Sequence, residues 1–420
     1  VFFQKTDFPI HKYIYGLLLT LVISTAVSKT GMNLLSPILT IYSLSFYFSH
    51  KKSLPPVIST LFITCFSIYA LGTIGSYFGH TDINDVIEFA RKNTFLLILP
   101  LLAAFLSNKQ NRNIACYSFL AACTFSALYG IYIFSITNNF DINIRVNGFL
   151  EYSRHTNVML CGIAIGLSYL TVQTLNQKAK AAIVTSILLC LLSMVISGTR
   201  AGYLCLAIMI PVVLCVQYRR YIPHVAVSFT VLFLLLSVIL PQQVQHVTSR
   251  ITSIGDTEKH ISNMARITMW KGGVAYIESQ SENSFSKFLF GSGMENSEAS
   301  YHNYLDTLTK VEKKAYQGVD GRFYGGSDFH NSPLDLTIKS GVIYSIIFII
   351  GLIIISFFSL KKDYQSDPST RAIFYYLVAF YPLVMFYTMF QDYSMIATSV
   401  ALALILGRYI ELSQSPKQVQ

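Results

Sequence analysis

Residues 328–360 read DFHNSPLDLTIKSGVIYSIIFIIGLIIISFFSL. The first few close a long polar segment, and from Leu334 to Leu360 the chain is apolar enough to cross a bilayer as a helix, with Lys339 near its start. Ser332 is predicted as the helix N-cap, Pro333 as the first helical residue and Asp335 as the third. His330 then stands just before the mouth of a membrane helix. Gly341 follows eleven residues later. At about 100° per residue it is expected near the same face, about three turns deeper, where it leaves room below the imidazole. A lone interfacial histidine carries no function by itself, so the weight given to His330 depends on the rest of the chain.

The 420-residue chain is 53% hydrophobic and 12% charged, about half the charge of an ordinary soluble domain, which is about 25%. Apolar runs recur along it, which predicts an all-α polytopic membrane protein. The sequence begins at Val1 without Met, so a few residues are expected to precede it, and no cleavable signal peptide is recognised. The cysteines (65, 116, 123, 161, 190, 205, 215) fall in or beside apolar runs and read as small core residues, with neither a disulfide nor a metal framework.

Twelve candidate spans are read at about 12–28, 32–49, 54–77, 93–107, 114–137, 157–175, 181–196, 203–217, 225–240, 333–358, 373–390 and 394–410. They divide the chain into spans one to nine (1–240), a large loop (241–332), and spans ten to twelve with a tail (333–420). Lys5 and Lys12 precede the first span. Lys51, Lys52, Lys109, Arg112, Lys178, Lys180, Arg219, Arg220, Lys361, Lys362, Arg371 and Lys417 follow the even-numbered ones. This bias predicts both termini in the cytoplasm and the odd-numbered exits outside. It also accounts for much of the +10 net charge without a nucleic-acid partner. The loop 241–332 is then outside. Its helical spacing of Ile267, Trp270, Val274 and Ile277 predicts a folded, amphipathic element lying over the membrane.

Several cations fall on the outward side. Arg200 sits in the tight link Ser197-Gly198-Thr199-Arg200-Ala201-Gly202, whose glycines are expected to let a bulky head group approach the backbone. Arg266 lies one turn before Trp270, and Arg91 and Lys92 precede the fourth span. Arg145 and Arg154 are weaker candidates. Each alone reads as a snorkelling or solvated charge. Together with His330 they describe a pocket at the membrane surface, and the planar fork of arginine suits phosphate oxygens carried there by a lipid. No Asp-x-Asp pair, metal-ligand spacing, Walker A, Gly-x-Ser-x-Gly or dinucleotide fingerprint occurs. Neither a cofactor nor a resident metal is therefore expected.

Three motifs in order resemble the O-antigen ligase and O-antigen polymerase superfamily of bacterial membrane glycosyltransferases. They are Ile196-Ser197-Gly198-Thr199-Arg200-Ala201; Ala265-Arg266-Ile267 through Trp270 and Gly272; and His330-Asn331, nine residues, then Gly341-Val342-Ile343-Tyr344. A second pair, His302-Asn303, has Lys313 where the glycine belongs. The arrangement is most similar to the ligases. The resemblance implies a GT-C-like inner-membrane enzyme, metal-independent and inverting, with one large periplasmic loop. It would move a glycan from undecaprenyl diphosphate to lipid A-core. It also implies His330 as general base, Arg200 and Arg266 on the diphosphate, and Arg91, Lys92, Asn331, Gly341 and Tyr344 as substrate-binding residues. The alternatives are a polymerase joining lipid-linked repeats, a protein O-oligosaccharyltransferase and, in a different class, a lipid or solute transporter. Against the last, His50-Lys51-Lys52-Ser53 lacks the basic-glycine pattern of major-facilitator proteins, and no second half mirrors the first.

Overall fold

The computed structural model describes residues 10–80, 82–141, 144–256, 260–318 and 321–414. Lys5 and Lys417, used above for orientation, lie outside them. Among the described residues the fold is helical, with one isolated bridge between Gln317 and Phe323. The helices are α1 (Ile10–Val27), α2 (Lys29–His50), α3 (Pro56–His80), α4 (Ile83–Lys92), α5 (Phe95–Phe105), α6 (Lys109–Tyr132, continued as a π-turn over Ile133–Thr137), α7 (Tyr152–Tyr169), α8 (Gln177–Ser197), α9 (Arg200–Gln217) and α10 (Ile222–Ile239). The segment 241–331 then supplies α11 (Pro241–Thr252), α12 (Ile261–Asn283), α13 (Phe285–Phe290), α14 (Ser297–Thr307) and α15 (Lys310–Lys314). The chain ends with α16 (Ser332–Ser359), α17 (Lys362–Gln365), α18 (Pro368–Val384) and α19 (Asp392–Gln414).

A helix lies at each of the apolar runs read from the sequence. Among the described residues seven helices are long and apolar enough to cross a membrane, within α3, α6, α8, α9, α10, α16 and α19. The other runs fall short for visible reasons. Helix α5 has eleven residues and α18 seventeen, and α7 opens with Tyr152-Ser153-Arg154-His155-Thr156-Asn157. Helix α5 is buried at every position, and α7, α18 and α19 are largely buried too, α19 packing on α5 and α18 on α7. Peripheral helices turn apolar side chains outward instead, among them Phe229, Leu234, Val238 and Ile239 of α10. That inversion of a soluble fold is what a lipid environment selects. Small polar residues close the interior: Ser43 Oγ donates to Leu97 O, and Ser36 and Thr94 bond at 2.9 Å.

Two sets of tertiary bonds mark two ends of the bundle. At one end buried Arg112 meets Asp367 (2.8 Å) and Glu411, and Arg371 donates to Ser168 and Thr171. At the other, α4 and the segment 241–331 cover the helix ends. Asp85 of α4 accepts from the main chain of Glu295 (2.7 Å), and a Cβ on Gly79 would meet Gly291 O at 2.3 Å. The covering segment has its own apolar cluster of Met269, Tyr276, Tyr301, Leu305 and Phe329, joined to Ile338 of α16.

The 328–360 stretch folds differently from its sequence reading at two points. The N-cap is Asn331, whose side chain accepts from Leu334 N at 3.0 Å. Ser332 instead ties α16 to the 385–391 turn, donating to Tyr387 O (2.6 Å) and accepting from Met389 N (2.7 Å). Gly341 does not leave an open face below His330. The helix breaks there at φ 78°, ψ 167°. Freed of their helical partners, the carbonyls of Ile338 and Lys339 accept from Ser292 N (2.8 Å) and Gly293 N (3.1 Å). A Cβ on Gly341 would lie 2.2 Å from Leu289 O, so the glycine admits the backbone of α13 rather than a ligand.

Candidate functional site

His330 sits at the covered end of the bundle in left-handed backbone (φ 48°), a conformation that histidine tolerates better than most residues. Local bonds hold it. Its main-chain N–H donates to Asp328 Oδ1 (2.6 Å), and its Nδ1 lies 3.2 Å from Asp328 Oδ2. Asp328 also accepts from the Thr388 hydroxyl. Burial pushes the Asp328 carboxyl up, but the His330 ring, the Thr388 hydroxyl and the main-chain donor outweigh it and hold the group well below the usual carboxylate range. The His330 side chain remains 42% exposed, open to an incoming molecule.

Beneath this turn, buried Asp335 and Lys339 pair at 3.0 Å. Lys339 Nζ donates to Ser327 O (2.7 Å), and Asp335 accepts from Phe329 N and Gln391 Nε2. The single lysine noted in the apolar run is thus a strut for the histidine turn. Asn331, besides capping α16, donates from Nδ2 to Met385 O. Trp270 Nε1 donates to Phe329 O at 3.1 Å from the side of α12.

The arginines converge beside this turn. Arg200 opens α9, is 7% exposed, and donates to Ser253. The charges of Arg266, Arg145 and Arg250 all act on it. Arg266 lies over the rings of Phe386 (6.0 Å) and Tyr387 (5.5 Å), and the ring of Tyr387 is 6.4 Å from that of His330. Tyr387 therefore bridges the arginines and the histidine. Arg145 is brought in by the Ser197–Arg200 turn: Gly198 is left-handed (φ 61°), and its open side is covered by the Arg145 side chain. Nearby groups register the field. Burial and the charges of Arg250 and Arg145 push His246 below its ordinary value, and burial followed by Arg200 does the same for His260. Among the described residues none of these arginines has a carboxylate within ion-pair distance.

The remaining sequence candidates lie elsewhere. Arg91 and Lys92 both pair with Glu88 (2.5 and 3.2 Å), so α4 neutralises its own cations. Arg154 is engaged by Glu151, Ser394 and the Tyr393 ring. Tyr344 is buried, donating to Asn93 Oδ1 (3.0 Å) and packing edge-on against Phe89. Gly202 meets Thr156 and Met194, so it serves helix packing. His302 is exposed on α14. Sequence reasoning missed Asp328, Arg250, Tyr387 and Thr388. Asp328 was readable, two positions before His330. The other three reach the site only through tertiary structure.

An arginine cluster lacking carboxylates suits a multiply charged anion. An Asp-oriented imidazole beside it suits proton transfer. Residues 185–349 match the model of a family described as O-antigen ligase. The matched segment contains Arg200, Arg250, Arg266, Asp328 and His330. A search of curated proteins finds no match. Within an all-helical chain whose apolar helices fit a multi-pass membrane protein, residues 185–349 are thus similar to the O-antigen ligase family.

Proposed function

We propose that the protein is an O-antigen ligase. It transfers a glycan from undecaprenyl diphosphate to lipid A-core on the periplasmic face of the inner membrane. In this reading the chain has twelve spans in a GT-C-like arrangement, both termini are cytoplasmic, and 241–332 is the periplasmic loop. The observation that carries it is the cluster of Arg145, Arg200, Arg250 and Arg266, without carboxylate partners among the described residues, beside the Asp328–His330 pair.

Arg200 and Arg266 hold the diphosphate and take up the charge that develops as it leaves. Asp328 Oδ2, 3.2 Å from His330 Nδ1, favours the tautomer with the proton on Nδ1 and the lone pair on Nε2. Nε2 takes the proton of the acceptor hydroxyl as its oxygen bonds to the anomeric carbon. The bond from that carbon to the diphosphate oxygen breaks, and the lipid diphosphate leaves with the electron pair. A single displacement inverts configuration. Arginine rather than a metal balances the charge, so transfer is expected to persist in EDTA. Asn331, Gly341 and Tyr344 act by position, fixing the helix on which the histidine turn is built.

Lipopolysaccharide from a deletion strain tests this reading. Loss of a ligase leaves bare core and accumulated lipid-linked polymer. Core bearing a single repeat would identify a polymerase and overturn the assignment.

A further inference from the structure

Helix α12 is two-faced in a way its sequence did not suggest. Met269, Gly272, Gly273, Tyr276 and Gln280 form the buried face. Ile267, Trp270 and Val274, three of the four residues of the amphipathic stripe, line an open groove of about 590 Å³ with Lys271, Glu278, Ala315 and Tyr316, while Trp270, Ile277 and Tyr316 also pack against the covering cluster. Val274 is 49% exposed. An exposed apolar wall of this kind marks a binding surface.

We propose that this groove binds the oligosaccharide of the acceptor, an inference that rests on the transferase reading above. Trp270 and Tyr316 offer aromatic faces for the C–H faces of sugar rings. Lys271 and Glu278, two turns apart on one side, offer a donor and an acceptor for hydroxyls. The groove adjoins the site at Trp270. Trp270 bonds the carbonyl of Phe329, the residue before His330, and its ring lies 6.1 Å from Phe386. The base must meet the acceptor hydroxyl, and the groove adjoins the turn that carries the base, which favours the acceptor over the donor as its occupant. A bilayer surface fits less well, because the face is concave and charges line it.

Trp270 is the only tryptophan in the chain, so its fluorescence reports the groove directly. Titration of the full-length protein in detergent with deacylated lipopolysaccharide core oligosaccharide should give a saturable change that inorganic pyrophosphate does not give. Tyr316→Ala and Val274→Glu should each raise the acceptor KM about tenfold while leaving kcat and the donor KM within about twofold, and Tyr316→Phe should restore the wild-type value. Val274→Glu and Glu278→Gln lie on exposed positions and keep the test open if Tyr316→Ala does not fold. An unchanged acceptor KM with no fluorescence response would overturn the proposal. A rise in donor KM alone would assign the groove to the donor glycan and overturn the acceptor assignment. Loss of transfer in wild type with an intact fluorescence response would sink the transferase reading and leave the groove standing.

Discussion

At the scale of residues, the arginines and Asp328 make separable predictions. Arg200 and Arg266 lie among like charges, without an ion-paired carboxylate among the described residues, an arrangement that becomes favourable once an anion enters. Lysine keeps the charge but loses the bidentate fork. Arg200→Lys and Arg266→Lys should therefore each lose most transfer activity, on the order of 10²-fold, while the protein still folds. Near-normal turnover in Arg200→Lys would reduce that residue to a point charge. Asp328 is predicted through pH. Its carboxyl is held below the usual range, so its contribution to stability is complete above the unfolded carboxylate value and is lost as pH falls through the folded value. Asp328→Asn should lower Tm at pH 7, and its gap from wild type should narrow below about pH 4. A gap that widened in acid would contradict the pairing. Of these residues, Arg200, Arg266 and His330 were legible because positional arguments and motifs single them out. Asp328 was overlooked beside His330, since a carboxylate in a polar loop carries no periodic signal. Tyr387 was illegible, since it enters the site from the turn after α18.

At the scale of elements, the break in α16 matters most. The sequence located this helix but misassigned its cap and its glycine, each for a physical reason. Asn331 and Ser332 are both good caps, and only contact with Tyr387 and Met389 decides between them. Gly341 looked like a space for a ligand because the docking of α13 cannot be read from periodicity. With φ at 78° and a Cβ 2.2 Å from Leu289 O, Gly341→Ala should destabilise the protein by on the order of 3 kcal/mol or more. Thermal unfolding in detergent measures this, and a Tm within about 1 °C of wild type would show that the break tolerates a side chain. The buried Asp335–Lys339 pair belongs to the same element, holding Ser327 and Phe329 where the histidine turn needs them.

At the scale of the whole molecule, the chain separates a tied, charged end from a covered end that gathers the arginines and His330. Hydropathy alone made the helical membrane class legible. Helices too short or too polar to qualify by composition, such as α5 and α18, needed the fold to show that they form its centre. The covering segment was legible as folded but not in its facing, because apolar residues fall on both sides of α12, Met269 and Tyr276 on the buried side and Ile267 and Val274 on the open one. The proposed transfer turns on His330 taking a proton from an acceptor held beside a bound diphosphate. Its most direct test uses the purified chain in EDTA, given a lipid-diphosphate-linked glycan and lipid A-core, with donor binding measured alongside transfer. Wild type should transfer the glycan, and His330→Ala should bind the donor normally but transfer about 10²–10⁴-fold more slowly. Equal rates in wild type and His330→Ala would contradict the account.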